Sequence, residues 1–318
     1  MEKKIVCFLF LLFALSIQTV AQQHQKAGNG NPLIPGYFAD PTVKKFGDTY
    51  YIYATTDGNG GGYGPSQVWL SKDFVNWSLQ DMNWPTTRNY WAPDVAKGND
   101  GKFYLYYSQP VEIFGASSDS PVGPWTSLLP AGKAVVPNFL VPNVITLDAQ
   151  TFRDDDGKFY MHWGTWGIYP DHGAGVGLLN ADMKSFSKLA QIPNTVAKEF
   201  FEAPFMFKRN GIYYLTYSSG RCEDGTYRVQ YAMSKTGPMG PFTFGKNNPI
   251  IATNADGSVH GPGHQSVLQE GNRFYMIYHR HNNPNSEGGY HRQVVADEMQ
   301  FDAEGNILKI EPSHNGVG

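Results

Sequence analysis

The sequence predicts an all-β protein, a five-bladed β-propeller in a single domain, and three observations carry that expectation. A turn pair followed by two aromatics and an apolar strand occurs five times. The second aromatics of these copies are Tyr51, Tyr104, Tyr160, Tyr214 and Tyr275, at steps of 53, 56, 54 and 61 residues, a regularity that marks a repeat architecture. Helical patterning is almost absent: no segment joins an N-cap, an apolar stripe of helical period and a C-cap. A unit of ~50 residues with about four strands cannot cover both of its faces alone, whereas radial packing against two neighbours covers them. A pair of β-sandwiches would also supply many short strands, but it does not predict five like-spaced copies of one motif.

Taken from the N-terminus, Met1-Glu2-Lys3-Lys4, the apolar run Ile5 to Ile17 and Thr19-Val20-Ala21 read as a signal peptide over residues 1–21. The mature propeller is then expected over 22–318, starting at Gln22, in an exported protein, periplasmic or extracellular. The apolar run falls short of the ~20 residues that a membrane span requires. The five turns are Gly47-Asp48, Asp100-Gly101, Asp156-Gly157, Asn210-Gly211 and Gly271-Asn272, each ahead of its aromatic strand. A further strand closes some units in a polar turn, as in Val68 to Asp73 and Arg228 to Ser234, and Gly-Pro turns recur at Gly123-Pro124 and Gly240-Pro241. The Gly58 to Gly64 stretch lacks the Lys-Ser/Thr and the helix of a phosphate loop and reads as a surface loop at a blade edge.

Composition narrows the function. The chain of 318 residues holds 7 Trp, 19 Tyr and 20 Phe against only 17% charged residues, ample apolar mass for a large core. Its formal charge of −3 is spread without a Lys/Arg block, which argues against a nucleic-acid partner. Of the two cysteines, Cys7 leaves with the signal peptide, so Cys222 has no intrachain disulfide partner.

The chemistry lies in how each unit opens. Asp40 stands 11 residues before its second aromatic, Asp94 10, Asp148 12, Glu202 12 and His264 11. Equivalent strand positions of a propeller lie on a ring about its axis, so four carboxylates and a histidine are expected to face one another at one mouth. Crowded, desolvated carboxylates are costly to a fold, and functional sites are where such cost is tolerated. Two carboxyl groups in unequal environments suit glycosidic cleavage, one protonating the leaving oxygen and one activating water.

Ala39-Asp40-Pro41, Trp91-Ala92-Pro93-Asp94, Leu147-Asp148-Ala149, Glu202-Ala203-Pro204 and Gly261-Pro262-Gly263-His264 come in this order at one-blade intervals. In this the chain resembles glycoside hydrolase family 43, a family of five-bladed propellers, over about residues 30–312. The resemblance implies an inverting O-glycosyl hydrolase with Asp40 as general base, Glu202 as general acid and Asp148 as the carboxylate that raises the acid's pKa and orients it. It also implies that Arg292, in preference to Arg280, approaches substrate hydroxyls, and that His264 faces a calcium ion or water in the axial channel. No cofactor is required. Trp91 and Phe38, with Trp163 and Trp166, are candidate sugar-binding aromatics, each with a core role as the alternative. Asp94 matches no catalytic carboxylate of the family, which suits a structural or hydroxyl-binding role. His279, His281 and His291 lack metal-site spacing and read as polar loop residues and strand neighbours. The implied substrate is a pentose-containing plant polysaccharide or oligosaccharide. An α-L-arabinofuranosidase leads, because many β-xylosidases of the family append a β-sandwich to the propeller. The alternatives are β-xylosidase, endo-xylanase or endo-arabinanase activity, or a non-catalytic carbohydrate-binding propeller.

Overall fold

A computed structural model describes residues 30–58, 66–84, 90–282 and 289–317; the expected signal segment and residues 59–64 of the glycine-rich stretch lie outside them. Every described element is a strand, and the strands form five separate antiparallel sheets in chain order, the blades of a β-propeller. Blade 1 comprises β1 (Phe38–Phe46), β2 (Thr49–Thr56), β3 (Gln67–Ser71) and β4 (Ser78–Asp81). Blade 2 holds β5 (Trp91–Lys97), β6 (Phe103–Ser108), β7 (Ile113–Ser118) and β8 (Thr126–Ser127). Blade 3 holds β9 (Gln150–Arg153), β10 (Phe159–Trp163), β11 (Gly173–Leu179) and β12 (Phe186–Pro193). Blade 4 holds β13 (Glu202–Arg209), β14 (Ile212–Ser219), β15 (Arg228–Ser234) and β16 (Thr243–Phe244), and blade 5 has β17 (His260–Glu270), β18 (Arg273–His281) and β19 (Arg292–Met299).

The five expected turns join the first and second strand of each blade. Gly47, Gly101, Gly157, Gly211 and Gly271 all have positive φ there, a conformation open to glycine at little steric cost. The strand that follows each turn presents its aromatics to a neighbouring blade. Phe46 meets Phe103, Phe152 meets Tyr213 and Phe207 meets Phe274, with ring centroids 5.0, 6.1 and 5.9 Å apart. The apolar core is accordingly divided into five clusters, one at each junction between adjacent blades, including the junction of blade 5 with blade 1. Outer strands carry exposed side chains, as all four residues of β4 show.

Ring closure adds a further link. The side chain of Asn31 accepts from the Ala296 amide at 2.8 Å and donates to the Ala296 carbonyl at 3.0 Å, while the Leu33 amide donates to the Val294 carbonyl at 2.8 Å. The segment before β1 thus lies along β19, beside the three strands of blade 5, and joins the two ends of the described chain.

Candidate active site

Each blade opens on a residue in the left-handed backbone region: Asp40, Ala92, Asp148, Ala203 and His264, with φ between 43° and 58°. In blades 1, 2, 4 and 5 the register between the first two strands shifts at this point, a β-bulge that turns the strand end toward the mouth. These five residues, and not Asp94 and Glu202, are the equivalent positions. This corrects the expected ring. Glu202 stands one residue before the left-handed position and still reaches the cavity. Asp94 stands two residues beyond it and is fully buried, its carboxylate 2.7 Å from Lys44 Nζ and accepting the Thr151 amide at 2.8 Å. Asp94 therefore ties together the first strands of three blades.

The mouth holds a cavity of about 510 Å³ lined by Asp40, Asp148, Glu202, His264 and Arg292, with Trp91 and Trp166 on its walls. Its rim includes Ile168, 67% exposed, and Tyr290, 43% exposed. Three of the expected carboxylates therefore meet at one site. The blade 3 connection carrying Trp166 is held by the Thr165 and Trp166 amides, which both donate to the Phe201 carbonyl.

Two sequence candidates for substrate contact lie elsewhere. Trp163 is 0% exposed between blades 2 and 3, with its ring against Phe186, because its strand position points into the junction. Phe38 is buried against Trp69 between blades 5 and 1. Trp166, placed by the turn after β10, lines the cavity. Arg280 donates to the Ser313 carbonyl and contacts His314, away from the cavity. His279 and His281 prove to be buried residues of β18 and not loop residues.

Asp40 is set among cations. Its Oδ1 lies 3.1 Å from His264 Nδ1 and 3.3 Å from Arg292 Nη1, and its Oδ2 accepts the Thr55 hydroxyl at 2.6 Å. Burial pushes the Asp40 pKa up, but His264 and Arg292 outweigh it and hold the carboxyl well below its usual range. His264 responds in kind: burial lowers its pKa, and Asp40 and Asp148 overcome that to raise it to about 9. Arg292 is clamped from behind by Asp57, which accepts from Nε at 2.9 Å and from Nη2 at 3.3 Å. The buried imidazole of His279 is kept neutral by desolvation, and its Nδ1 accepts the Asp40 amide at 3.1 Å, so its proton resides on Nε2.

Glu202 sits in the opposite environment. Its two oxygens accept the Tyr227 hydroxyl at 2.7 Å and the Trp166 indole N–H at 3.1 Å. Burial raises its pKa against the opposing effects of His264 and Tyr227, with Asp40 adding to the rise. Asp148 is raised as well, first by burial and then by Glu202 and Asp40, so these two carboxyls compete for a proton. The rise expected for Glu202 is present, and burial is its first cause. Asp148 Oδ2 also accepts the Ala203 amide at 3.1 Å, which anchors the backbone next to Glu202.

Ligand atoms of Asp148, Glu202 and His264 lie within 4.8 Å of one another. These residues offer calcium two carboxylates and an imidazole, so waters would have to supply most of the six to eight oxygen ligands it takes. Sequence reasoning missed Asp57, Thr55, Tyr227 and the site role of His279. Their signal is weak because each meets its partner from a different blade or a different strand.

Over residues 29–307 the chain matches the family model described as glycosyl hydrolases family 43. It is 30% identical to beta-D-galactofuranosidase xynD of Aspergillus niger, with 91% of this chain and 86% of that protein covered. To xylosidase/arabinosidase 43A of Humicola insolens it is 28% identical, covering 88% of this chain and 99% of the other. Among solved structures, a thermostable family-43 glycoside hydrolase superposes with a TM-score of 0.74 at 26% identity, covering 91% of this chain and 98% of that one. The five blades, the three acidic side chains at one mouth and the family match over most of the length lead to one conclusion: this chain is a glycoside hydrolase and belongs to glycosyl hydrolases family 43.

Proposed function

We propose that the protein is an exported, inverting α-L-arabinofuranosidase acting on arabinose-containing plant glycans, with Asp40 as general base and Glu202 as general acid. The observation that carries the base and acid roles is the contrast between the two carboxyls, one held ionised by His264 and Arg292, the other pushed toward its protonated form by burial. In one displacement Glu202 gives its proton to the glycosidic oxygen as the C–O bond breaks, and Asp40 takes a proton from a water that attacks the anomeric carbon from the opposite face. Asp148 holds the Ala203 amide and so the position of Glu202. The Asp57-supported guanidinium of Arg292, buried at the cavity wall, is placed to bind sugar hydroxyls.

The Humicola relative's name joins xylosidase and arabinosidase, and the Aspergillus relative is named a galactofuranosidase. The β-D-galactofuranosyl ring has the configuration of the α-L-arabinofuranosyl ring with one more exocyclic carbon. A galactofuranosidase is therefore the second reading, favoured by the 30% identity to the Aspergillus protein. Export rests on the charged start, apolar run and small-residue site of residues 1–21, and N-terminal sequencing of the secreted protein beginning at Gln22 tests it.

Turnover of 4-nitrophenyl α-L-arabinofuranoside should exceed that of the β-D-galactofuranoside and β-D-xyloside, and the reverse order overturns the substrate assignment. Asp40→Asn and Glu202→Gln should each lower kcat by about 10²–10⁴-fold while the fold is retained. NMR of the first-formed sugar should show the anomer opposite to that of the substrate; retention refutes single displacement.

A further inference from the structure

The left-handed residue that opens each blade leaves its amide pointing at the preceding blade, and a repeated device receives it. Four residues after the second aromatic stand Thr55, Ser108, Gly164, Ser218 and His279. Thr55 Oγ1 accepts the Ala92 amide at 2.9 Å, Ser108 Oγ that of Asp148 at 2.8 Å, Ser218 Oγ that of His264 at 2.8 Å and His279 Nδ1 that of Asp40 at 3.1 Å. Blade 3 has Gly164 at this position and no side chain to offer. There the Ala203 amide goes to Asp148 Oδ2 instead.

Thr55 differs from the other members of this set. It is as fully buried as Ser108, Ser218 and His279, but its acceptor is a carboxylate of the site: besides accepting from Ala92, it donates its hydroxyl to Asp40 Oδ2 at 2.6 Å, whereas the Ser218 hydroxyl goes to the Gln265 amide oxygen. A hydroxyl has one proton to give. With a lone pair taken by the Ala92 amide, the hydroxyl is held in one orientation, and its proton is committed to the carboxylate. Oδ1 of the same carboxylate faces the donors His264 and Arg292, so the two oxygens have distinct partners. Ala92 follows Trp91, which lines the cavity.

We propose that Thr55 is a positioning residue for the reaction: its single hydroxyl fixes the orientation of the Asp40 carboxylate, keeps it in the acceptor state, and locks it to the blade 2 backbone that carries the Trp91 wall. This rests on the reading of Asp40 as general base. A hydrogen bond to a charged group that is lost on one side raises the pKa of the carboxylate, because the ionised form loses its donor. Asp40 must be ionised to act, so the acid limb of the pH–rate profile moves to higher pH when the donor is removed.

The test is the pH dependence of kcat and KM for Thr55→Val and Thr55→Ser beside Asp40→Asn, on the aryl glycoside that the wild type cleaves best. Thr55→Val should lose about 10- to 100-fold in kcat, move the acid limb up by roughly one to two pH units, and change KM less than kcat. Thr55→Ser keeps the hydroxyl and should restore both the rate and the limb. If Thr55→Val does not fold, Thr55→Cys, which replaces the hydroxyl by a weakly donating thiol, should show the same upward limb. An acid limb at the wild-type position in a folded Val or Cys variant, or a Ser variant that fails to restore it, overturns the proposal. Activity persisting in Asp40→Asn instead overturns the base assignment, so the two failures are told apart.

Discussion

At the residue scale the site is governed by which charged partner each carboxyl meets in a water-poor cavity. Glu202 is the clearest case, because burial favours its protonated form while Tyr227 favours the ionised one. Removing the Tyr227 hydroxyl in Tyr227→Phe takes away a donor to the carboxylate and should raise the Glu202 pKa further. An acid catalyst with a higher pKa stays protonated to higher pH, so the alkaline limb of the profile should move up by roughly one unit, with a modest loss of rate. Measured pH–rate profiles of the two proteins check this, and an alkaline limb displaced downward contradicts it. The limb at low pH, set by Asp40, should not move, since Tyr227 bonds to Glu202.

At the scale of the element, a strand and the turn after it send neighbouring tryptophans to different places. Trp163 ends β10 inside the junction of blades 2 and 3, whereas Trp166 follows on the turn that lines the cavity and donates to Glu202. Trp163→Ala should cost about 3–5 kcal/mol of stability through the void it leaves, with kcat/KM preserved below the unfolding transition. Trp166→Ala should do the reverse: a small change in melting temperature and a large fall in kcat/KM. Thermal melts and kinetics on both variants distinguish them, and equal losses of activity would contradict the assignment. The glycine at 175 shows why the first of these tryptophans is confined, since an added Cβ there would come within 2.3 Å of the Trp163 ring.

For the whole molecule the question is how a ring of five similar blades closes. Asn31 saturates both backbone groups of Ala296 with one side chain, 265 residues away in sequence. Asn31→Ala should leave those buried groups unpaired and cost about 2 kcal/mol, lowering the melting temperature without altering the pH profile. A melting temperature equal to wild type would show that the ring closes without this link. Much of this architecture was legible in the chain, because turns such as Asn210-Gly211 and aromatic strands such as Phe103 to Tyr106 are local and recur at an even period. Asp40, Asp148 and Glu202 were legible too, each standing in a short motif at a blade opening. What local pattern could not tell was which side of a strand each candidate takes: a bulge shifts the pairing by one residue, and so Glu202 enters the cavity while Asp94 is buried among the first strands. The amino-acid order by itself determined the number of blades and the acidic residues at their openings, since both follow from short-range chemistry. Only the tertiary structure decided that Thr55, Asp57, Tyr227 and His279 would surround them, because hydrogen bonds and charge act through space, within one blade for Thr55 and Tyr227 and across the junction of blades 5 and 1 for Asp57 and His279.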